Sequence, residues 1–442
     1  MPAFRRSIAG LLAGQLSRLA LQAAYFVILA RMLGASGYGA FASALALAAL
    51  VTPFTSLGTN TLMLKNVARN NASASEEWKR ALAYSVGGGL ILALALTVIS
   101  GIIAPPELSR IALFQIAGAE LVGMRLIELT GSLWQGMGKS KPLVILPSLV
   151  NLVRLVAAGT AFFLLGETSL ELWATLYMLA TVPLGIAVAA RTTIKLGYSK
   201  GNLRLQPSEM KEGLLYSVAL SSQNVYNDID KAMLARLSSV NAAGLYSAAF
   251  RIVDMAYAPI RAVAAAAYPH FFKEGEGGLQ AALRLTRKIS PIVALIGVAS
   301  TAGVALLAPL GPLVLGSNFG ESVEIIRLLA PLIILRAATF LAADTLTGSG
   351  RQGLRTFAQI TIAAVNVIIN FALIPSLGIM GAVISTLICE LLLASCLWSI
   401  IGITVFRIRR RGKGRRSIKR REIGVERRAK TRSRSKSDAP TH

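Results

Sequence analysis

Long apolar runs recur along the whole chain, and they constrain the fold more than any other feature. Stretches such as LILALALTVISGIIA (90–104) and ITIAAVNVIINFALI (360–374) are too apolar and too frequent for a water-soluble core. A helix crosses a bilayer with about 20 mostly apolar residues, and its backbone groups must pair within the chain. We therefore predict an all-α polytopic membrane protein with about twelve transmembrane helices. The predicted spans are 7–30, 38–63, 81–103, 111–135, 142–165, 170–190, 213–235, 243–269, 289–309, 322–346, 355–374 and 380–405.

Cysteine and histidine usage excludes several classes of site. Only 15% of the residues are charged, whereas soluble domains have about a quarter. Cys389 and Cys396 lie in one predicted helix about 10 Å apart along its axis, too far for a disulfide. His270 and His442 have no metal-ligand spacing. We predict no cofactor and no metal site.

Basic residues mark one side of the predicted membrane segments. With Arg5 and Arg6 inside, the even-numbered loops hold nearly all of the loop lysines and arginines. Positive residues favour cytoplasmic loops, so both termini are predicted to be cytoplasmic. The first segment carries Gln15, Arg18 and Gln22 and has no clear cleavage site. We therefore interpret it as an uncleaved span rather than a signal peptide.

The stretch 407–442 differs from the rest of the chain. It holds 16 of the lysines and arginines and has no apolar periodicity, so we predict a disordered cytoplasmic tail. Such a segment binds anionic lipid headgroups or nucleic acid. No aromatic residue interleaves the charges, as it would on a surface that stacks bases. We therefore favour anionic membrane lipids as its partner and expect no nucleic acid.

Two short sequences occur twice, about half a chain apart. LARMLGASGYGA (29–40) is similar to LARLSSVNAAGLYSAA (234–249), and WQGMGKSKP (134–142) to LTGSGRQGL (346–354). The repeat predicts two six-helix bundles of the same orientation, at 1–200 and 201–406. Gly34 is expected to end the first helix in a left-handed conformation, and Gly39 to allow close packing of the second. Repeated bundles around a midplane site are typical of secondary transporters, although two bundles also suit a non-transporting scaffold.

Polar side chains inside the predicted spans suggest where such a site lies. Charges at mid-bilayer usually face a bundle interior or water. The polar faces belong to spans one, two, seven and eight, and their members include Gln15, Arg18, Gln22, Asn60, Ser217, Ser221, Asn224, Asp228, Lys231 and Arg251. Because spans one and two correspond to spans seven and eight in the repeat, we predict a water-filled cleft between the two bundles.

Other internal charges are expected to be structural in part. Three pairs stand three residues apart, as helical neighbours do, and these are Arg125/Glu128, Arg251/Asp254 and Glu324/Arg327. Five further charged residues have no oppositely charged neighbour within their own span, namely Glu120, Arg154, Arg336, Asp344 and Glu390. They are expected to pair between spans or to contact a substrate or an ion. No catalytic set and no phosphate-binding loop is present, so we predict that the protein is not an enzyme.

The segments 14–69 and 224–252 resemble bacterial polysaccharide-biosynthesis flippases of the Wzx type. These belong to the superfamily of multidrug, oligosaccharidyl-lipid and polysaccharide exporters. The resemblance rests on Arg31, Leu33, Gly34, Tyr38 and Gly39, on Leu-Gly-Thr at 57–59, and on the Asp and Gly-x-Tyr of the second segment. It covers roughly residues 5–405 and is poorly informative about the substrate.

This resemblance implies a V-shaped, MATE-like pair of bundles that alternate between inward and outward access. It implies a lipid-linked oligosaccharide on undecaprenyl pyrophosphate as substrate, in the bacterial inner membrane, for O-antigen, lipopolysaccharide or exopolysaccharide synthesis. Arginine suits bidentate phosphate contacts, and the expected phosphate contacts are Arg18, Lys231, Arg251 and Arg154. The polar side chains, including Gln15, Gln22, Asn60 and Asn224, are expected to bind sugar hydroxyls. Asp228 is expected to hold Lys231 or to couple an ion.

Several partners and alternatives remain open at this level. An ion gradient is the expected energy source, with H+ or Na+ as coupling ion, and a polysaccharide polymerase is a possible assembly partner. A cation-coupled multidrug exporter of the same superfamily is the nearest alternative. Such exporters commonly have an acidic residue in the first span, where this chain has Arg18.

Overall fold

The structure, a computed structural model, describes residues 2–139, 141–166, 169–197 and 203–407, with side chains from Ala20 onward. These residues are helical and contain no strand, as predicted. The predicted boundary at 200/201 and the basic tail from residue 408 lie outside the described residues. We call 2–197 the N-terminal half and 203–407 the C-terminal half.

Seventeen α-helices follow one another along the described chain. The N-terminal half contains α1 (Pro2–Val51), α2 (Thr59–Arg69), α3 (Ala74–Val98), α4 (Ser100–Ile103), α5 (Arg110–Gly118), α6 (Arg125–Gly136), α7 (Lys141–Gly159) and α8 (Leu170–Leu196). The C-terminal half contains α9 (Pro207–Leu237), α10 (Val240–Ala256), α11 (Ala258–Gly275), α12 (Leu279–Leu307), α13 (Gly311–Leu315), α14 (Ser322–Leu329), α15 (Leu332–Gly348), α16 (Gln352–Leu377) and α17 (Ile379–Arg407).

Eight helical stretches in the described residues are long and apolar enough to cross a membrane. One of them, Ala20–Phe54, contains parts of the first two predicted spans. Three other predicted spans, 111–135, 213–235 and 243–269, are also helical, but each carries three charged residues. Large apolar side chains face outward, with Ile102 and Leu306 each 77% exposed, as expected where lipid replaces water.

Gly34 separates the first two predicted spans within α1. Its φ of 63° and ψ of −176° interrupt the helix in a region that is essentially restricted to glycine. The second repeated sequence also has matching glycines, because Gly138 and Gly350 take φ values of 77° and 75°. Gly34 therefore separates the two spans as predicted, although its ψ is extended and differs from the left-handed helical conformation expected for it.

The two halves pack together through the start of their second spans. A methyl group on Gly39 would overlap the backbone of Val240 and Gly244, and one on Gly244 would overlap the Ala35 carbonyl. Only glycine permits this approach of α1 to α10. We call this side of the molecule the Gly34 end.

The second predicted span is not continuous, contrary to our expectation for 38–63. The α-helix stops at Val51, a 3₁₀ turn covers Thr52–Phe54, and α2 starts only at Thr59. Pro53 and the left-handed Gly58 (φ 78°) account for the break. Span 243–269 is likewise divided, since α10 ends at Ala256 and α11 starts at Ala258.

Gly58 and Gly213 form a second close contact between the halves. A side chain on Gly58 would overlap the backbone of Gly213, and one on Gly213 would overlap the carbonyl of Leu57, the residue before Gly58. About 25 Å of helix, at 1.5 Å per residue, separates Gly34 from the break in α1. The halves therefore touch at the Gly34 end and again at what we call the Gly58 end.

Candidate functional site

A polar cavity of about 790 Å³ lies between the two halves. The N-terminal half contributes lining residues from α1, the π-helical turn before α6, α6, α7 and α8, and the C-terminal half from α9, α10, α11, α15, α16 and α17. Six basic and five acidic side chains line it among the described residues: Arg154, Lys231, Arg251, Arg261, Arg336 and Arg355, with Glu120, Glu128, Asp228, Asp254 and Glu390. Charges within membrane spans usually face a bundle interior or a water-filled cavity and mark functional sites, so this cavity is the candidate site.

Arg154 is fixed on the wall of the N-terminal half by three partners. Its Nη2 donates to Glu120 Oε1 at 2.7 Å, and its Nε to the Thr181 hydroxyl at 3.0 Å. The guanidinium also lies over the Tyr177 ring, 4.0 Å from its centroid. Tyr177 donates to the same Glu120 oxygen at 2.5 Å. Glu120 sits in a π-helical turn, Ala119–Met124, a distortion frequent at functional sites.

A comparable set occurs on the wall of the C-terminal half. Glu390 accepts hydrogen bonds from Tyr226 at 2.6 Å and from Thr339 at 2.6 Å. Arg336 lies 3.7 Å from Glu390 and 3.4 Å from Asp254. Each half therefore presents an arginine held by a glutamate that a tyrosine hydroxyl also contacts.

Arg251 differs from the other cavity cations. The other five each have a carboxylate within 3.7 Å. Arg251, on α10, makes no hydrogen bond or ion pair with any residue that the structure describes. A partly buried guanidinium without a carboxylate is available to an anionic ligand.

Comparison with known proteins identifies the family of this chain. Residues 4–274 match the family of polysaccharide biosynthesis proteins. The chain belongs to this family. A probable low-salt glycan biosynthesis flippase, Agl15 of Haloferax volcanii, is 24% identical over 246 residues, covering 54% of this chain. The chain spans about half (51%) of the length of that curated relative.

Solved structures show the same fold at low identity. A multidrug resistance MATE family transporter in an inward-facing conformation gives a TM-score of 0.71 at 16% identity, over 89% of this chain and 96% of that one. A MOP superfamily transporter from Pyrococcus furiosus, described as having a binding pocket of reverse polarity, gives a TM-score of 0.63 at 16% identity. The match covers 90% of this chain and 95% of that one. The chain is thus a multi-pass membrane protein of the polysaccharide biosynthesis family with the fold of these transporters.

The cavity of this polysaccharide biosynthesis protein brings together six of the nine predicted site residues. Those lining it are Gln22, Arg154, Asn224, Asp228, Lys231 and Arg251. Asn60 does not line the cavity, since it lies beyond the break on α2, where its Oδ1 is buried without a partner among the described residues. The side chains of Gln15 and Arg18 lie outside the described residues.

The polar stripe of span seven has a structural task that sequence reasoning missed. Asn224 Nδ2 donates to the Ala49 carbonyl at 2.7 Å, Ser221 to Leu50 at 2.7 Å and Ser217 to Pro53 at 2.8 Å. These carbonyls lie where α1 ends and lack partners within the helix. The polar side chains of α9 thus donate hydrogen bonds to the free carbonyl groups at the break of α1 in the other half.

The ion pairs only partly follow the predicted spacing. Arg125 pairs with Glu128 at 3.0 Å. The predicted Arg251–Asp254 pair is wrong, because Asp254 contacts Arg261 at 2.8 Å and Arg336 at 3.4 Å. Glu324 and Arg327 do not pair either, and Arg327 donates to the Ala305 carbonyl. The five charges without a partner in their own span all form ion pairs between spans or helices.

Proposed function

We propose that the protein moves an oligosaccharide linked to undecaprenyl pyrophosphate across the bacterial inner membrane by alternating access. In this proposal both termini face the cytoplasm, and the pyrophosphate head and sugars pass through the cavity. The isoprenoid chain stays in the bilayer. The product enters surface polysaccharide synthesis, with a polysaccharide polymerase as an assembly partner.

The observation that carries the proposal is the arrangement of cations in the cavity. A pyrophosphate crossing a membrane loses much of its hydration and needs charged donors in return. Arg251 has no carboxylate partner, while Arg154 and Arg336 are held on opposite walls by Glu120 and Glu390. Arginines fixed in this way bind phosphate oxygens in a bidentate manner at low entropic cost.

Alternating access is supported by the two contact regions between the halves. The Gly39–Gly244 contact and the Gly58–Gly213 contact lie on opposite sides of the cavity along α1. Opening one contact at a time exposes the cavity to one side of the membrane. No ATP-binding motif is present in the sequence, which favours an ion gradient, with H+ or Na+ as the coupling ion.

The alternative of a multidrug exporter fits the cavity less well. Organic drug molecules favour predominantly apolar and aromatic linings, whereas eleven of the residues lining this cavity are ionisable acids or bases of both signs. A strain that expresses the protein should therefore show no added resistance to cationic dyes.

The proposal is tested by complementation of a bacterium lacking its surface-polysaccharide flippase. Wild type should restore polymer, and Arg251→Ala should reduce it at least tenfold at equal membrane levels. Arg191→Ala is the matched control, because it removes an exposed arginine that does not line the cavity. Equal rescue by Arg251→Ala and Arg191→Ala would contradict the assignment. Arg18→Ala is compared in parallel, since Arg18 is predicted from the sequence alone.

A further inference from the structure

Opposite charges balance in the cavity and directly behind its wall. Six basic and five acidic side chains line it, and their ion pairs add Arg125 to the basic side and Asp230 and Asp344 to the acidic side. The described residues of the site therefore carry seven charges of each sign. Among them Arg251 is the cation without a carboxylate, and the proposed function assigns it to the pyrophosphate.

Glu128, on α6, is the most accessible carboxylate lining the cavity in the part of the chain that the structure describes. Its side chain is 42% exposed, while those of the other four are 35% exposed or less. Only its Oε2 accepts a hydrogen bond from a described residue, at 3.0 Å from Arg125, which does not itself line the cavity. Glu128 thus presents a negative charge and a free oxygen, Oε1, to the cavity.

Uncharged amide side chains complete the polar lining. Five of them make no side-chain hydrogen bond with any described residue, namely Gln22, Asn151, Gln223, Asn227 and Gln359. An amide both donates and accepts, so it pairs with hydroxyl and N-acetyl groups. A carboxylate accepts from a hydroxyl more strongly than a neutral oxygen does. A free carboxylate oxygen in a cavity with several unpaired amides therefore suits the hydroxyl groups of uncharged sugars.

We propose that Glu128 restricts the transported oligosaccharide to uncharged sugars, which it binds through their hydroxyl groups. This proposal rests on the proposed function and names the class of substrate within it. The carboxylate of a uronic acid would meet the charge of Glu128 in a site where the effective dielectric constant is lower than in water. Contact between like charges is one means by which a binding site rejects the wrong partner.

An acidic sugar would also find no cation of its own in the cavity. Arg251 contacts the pyrophosphate in the proposed function, and each of the other five cations lining the cavity already has a carboxylate within 3.7 Å. A sugar carboxylate would have to displace one of these partners, which would leave a carboxylate of the protein without its counter-charge. An uncharged sugar requires no such exchange.

The selectivity is tested by complementation in two flippase-deficient strains of one bacterium. One strain assembles a repeat unit of neutral hexoses, and the other assembles the same unit with glucuronic acid in place of one glucose. Polymer is measured relative to the strain's own flippase at equal membrane levels. Wild type should restore the neutral polymer better than the acidic one by about tenfold or more.

Substitution of Glu128 should change the ratio of the two polymers, whereas a structural defect would lower both together. Glu128→Gln keeps an acceptor for Arg125 but removes the repelling charge. It should raise the acidic polymer about fivefold or more and lower the neutral polymer about threefold at most, because the amide still accepts from hydroxyls. Glu128→Asp keeps the charge and should keep the preference for the neutral unit. Glu171→Gln is the matched control, since Glu171 is exposed on α8 of the same half and does not line the cavity.

The outcomes separate sugar selectivity from the proposed function. Equal restoration of both polymers by wild type overturns the selectivity and leaves the proposed function intact. An unchanged ratio in Glu128→Gln excludes Glu128 as its cause. Restoration of neither polymer contradicts the proposed function, and the selectivity with it. Should Glu128→Gln fail to reach the membrane, Arg125→Gln/Glu128→Gln leaves no isolated charge and should show the same gain of acidic polymer.

Discussion

At the scale of single residues, Arg154 and Glu120 give the clearest prediction about stability. The Arg154 side chain is 9% exposed, and its bond to Glu120 is 2.7 Å long. Removing one partner of such a buried pair costs about 3–5 kcal/mol because the other charge remains uncompensated. We expect Arg154→Met to lower the melting temperature in detergent markedly.

A double variant separates stability from transport. Glu120→Gln/Arg154→Met leaves no isolated charge, so it should recover most of the lost melting temperature. Complementation should stay absent in both variants, because both lack the proposed phosphate contact of Arg154. Full transport activity in the stable double variant would rule out Arg154 as a substrate contact.

Asn224 tests whether the span-seven stripe is structural. Asn224→Ala removes the 2.7 Å bond to the partly buried Ala49 carbonyl and should cost about 0.5–1.5 kcal/mol, the net contribution of a typical hydrogen bond. Ser222→Ala is a suitable control, because Ser222 is partly exposed and its hydroxyl donates only to the Val218 carbonyl of its own helix. Equal melting temperatures for the two variants would contradict the structural role, and the role of Asn224 would then lie with the substrate.

At the scale of elements, the contact between α1 and α10 should tolerate no side chain. Gly39→Ala places a methyl group against the backbone of Val240 and Gly244, and such overpacking costs about 1–3 kcal/mol. Gly87→Ala, in α3, meets no atom within 4 Å and should change stability by less than about 1 kcal/mol. Thermal unfolding in detergent compares the two, and equal effects would refute the contact.

The repeated arginines form a reciprocal connection between the halves. Arg31 donates to the carbonyls of Leu313 and Val314 at 2.6 and 2.7 Å, at the end of α13. Arg236 donates to Ile102 and Gly101 at 3.0 and 3.4 Å, at the end of α4. Each repeat thus caps the carboxyl end of a short helix in the opposite half, where a cation also suits the helix dipole.

This connection predicts how the Gly34 end opens. In Arg31→Ala/Arg236→Ala, the halves should separate there more often, so a cysteine in the cavity becomes accessible from that side. Ser247→Cys, 4% exposed and lining the cavity, serves as the reporter after Cys389 and Cys396 are replaced by serine. An impermeant maleimide should label this cysteine faster in the double variant than in either single variant, each of which retains one of the two arginines. Unchanged labelling would show that the arginines do not hold this end closed.

At the scale of the whole molecule, the sequence predicts more of the helical architecture than of the ion pairs between helices. The apolar runs, the two repeats, the Gly34 hairpin and the presence of charges inside the spans followed from residue spacing. Ion-pair partners did not, because Arg154 and Glu120 come together only through tertiary packing, in which α8 contacts both α7 and the turn that contains Glu120. The apolar run continues across Thr52–Phe54 and so predicts one unbroken span there, whereas Pro53 and Gly58 are the residues that interrupt the helix.

The Gly58 end is held by ion pairs between the halves. Lys65 contacts Glu212 at 2.5 Å, and Arg80 contacts Glu209 at 3.1 Å. The hydrogen bond from Lys65 holds the pKa of the Glu212 carboxyl below its usual range. A lowered pKa in the folded protein means that the pair stabilises the contact at neutral pH and is lost as the pH falls through that pKa.

Acidification below about pH 4, the ordinary range of a glutamate, should therefore loosen the Gly58 end. Spin labels at Asn70→Cys and Met210→Cys, both exposed positions, would report a longer and broader distance at low pH after the native cysteines are replaced. Glu209→Gln/Glu212→Gln should give that broad distribution already at pH 7, with little further change on acidification. Glu107→Gln, an exposed carboxyl outside this contact, should behave as wild type. A double variant that retains the narrow distance at pH 7 would show that the glycine contact alone closes this end.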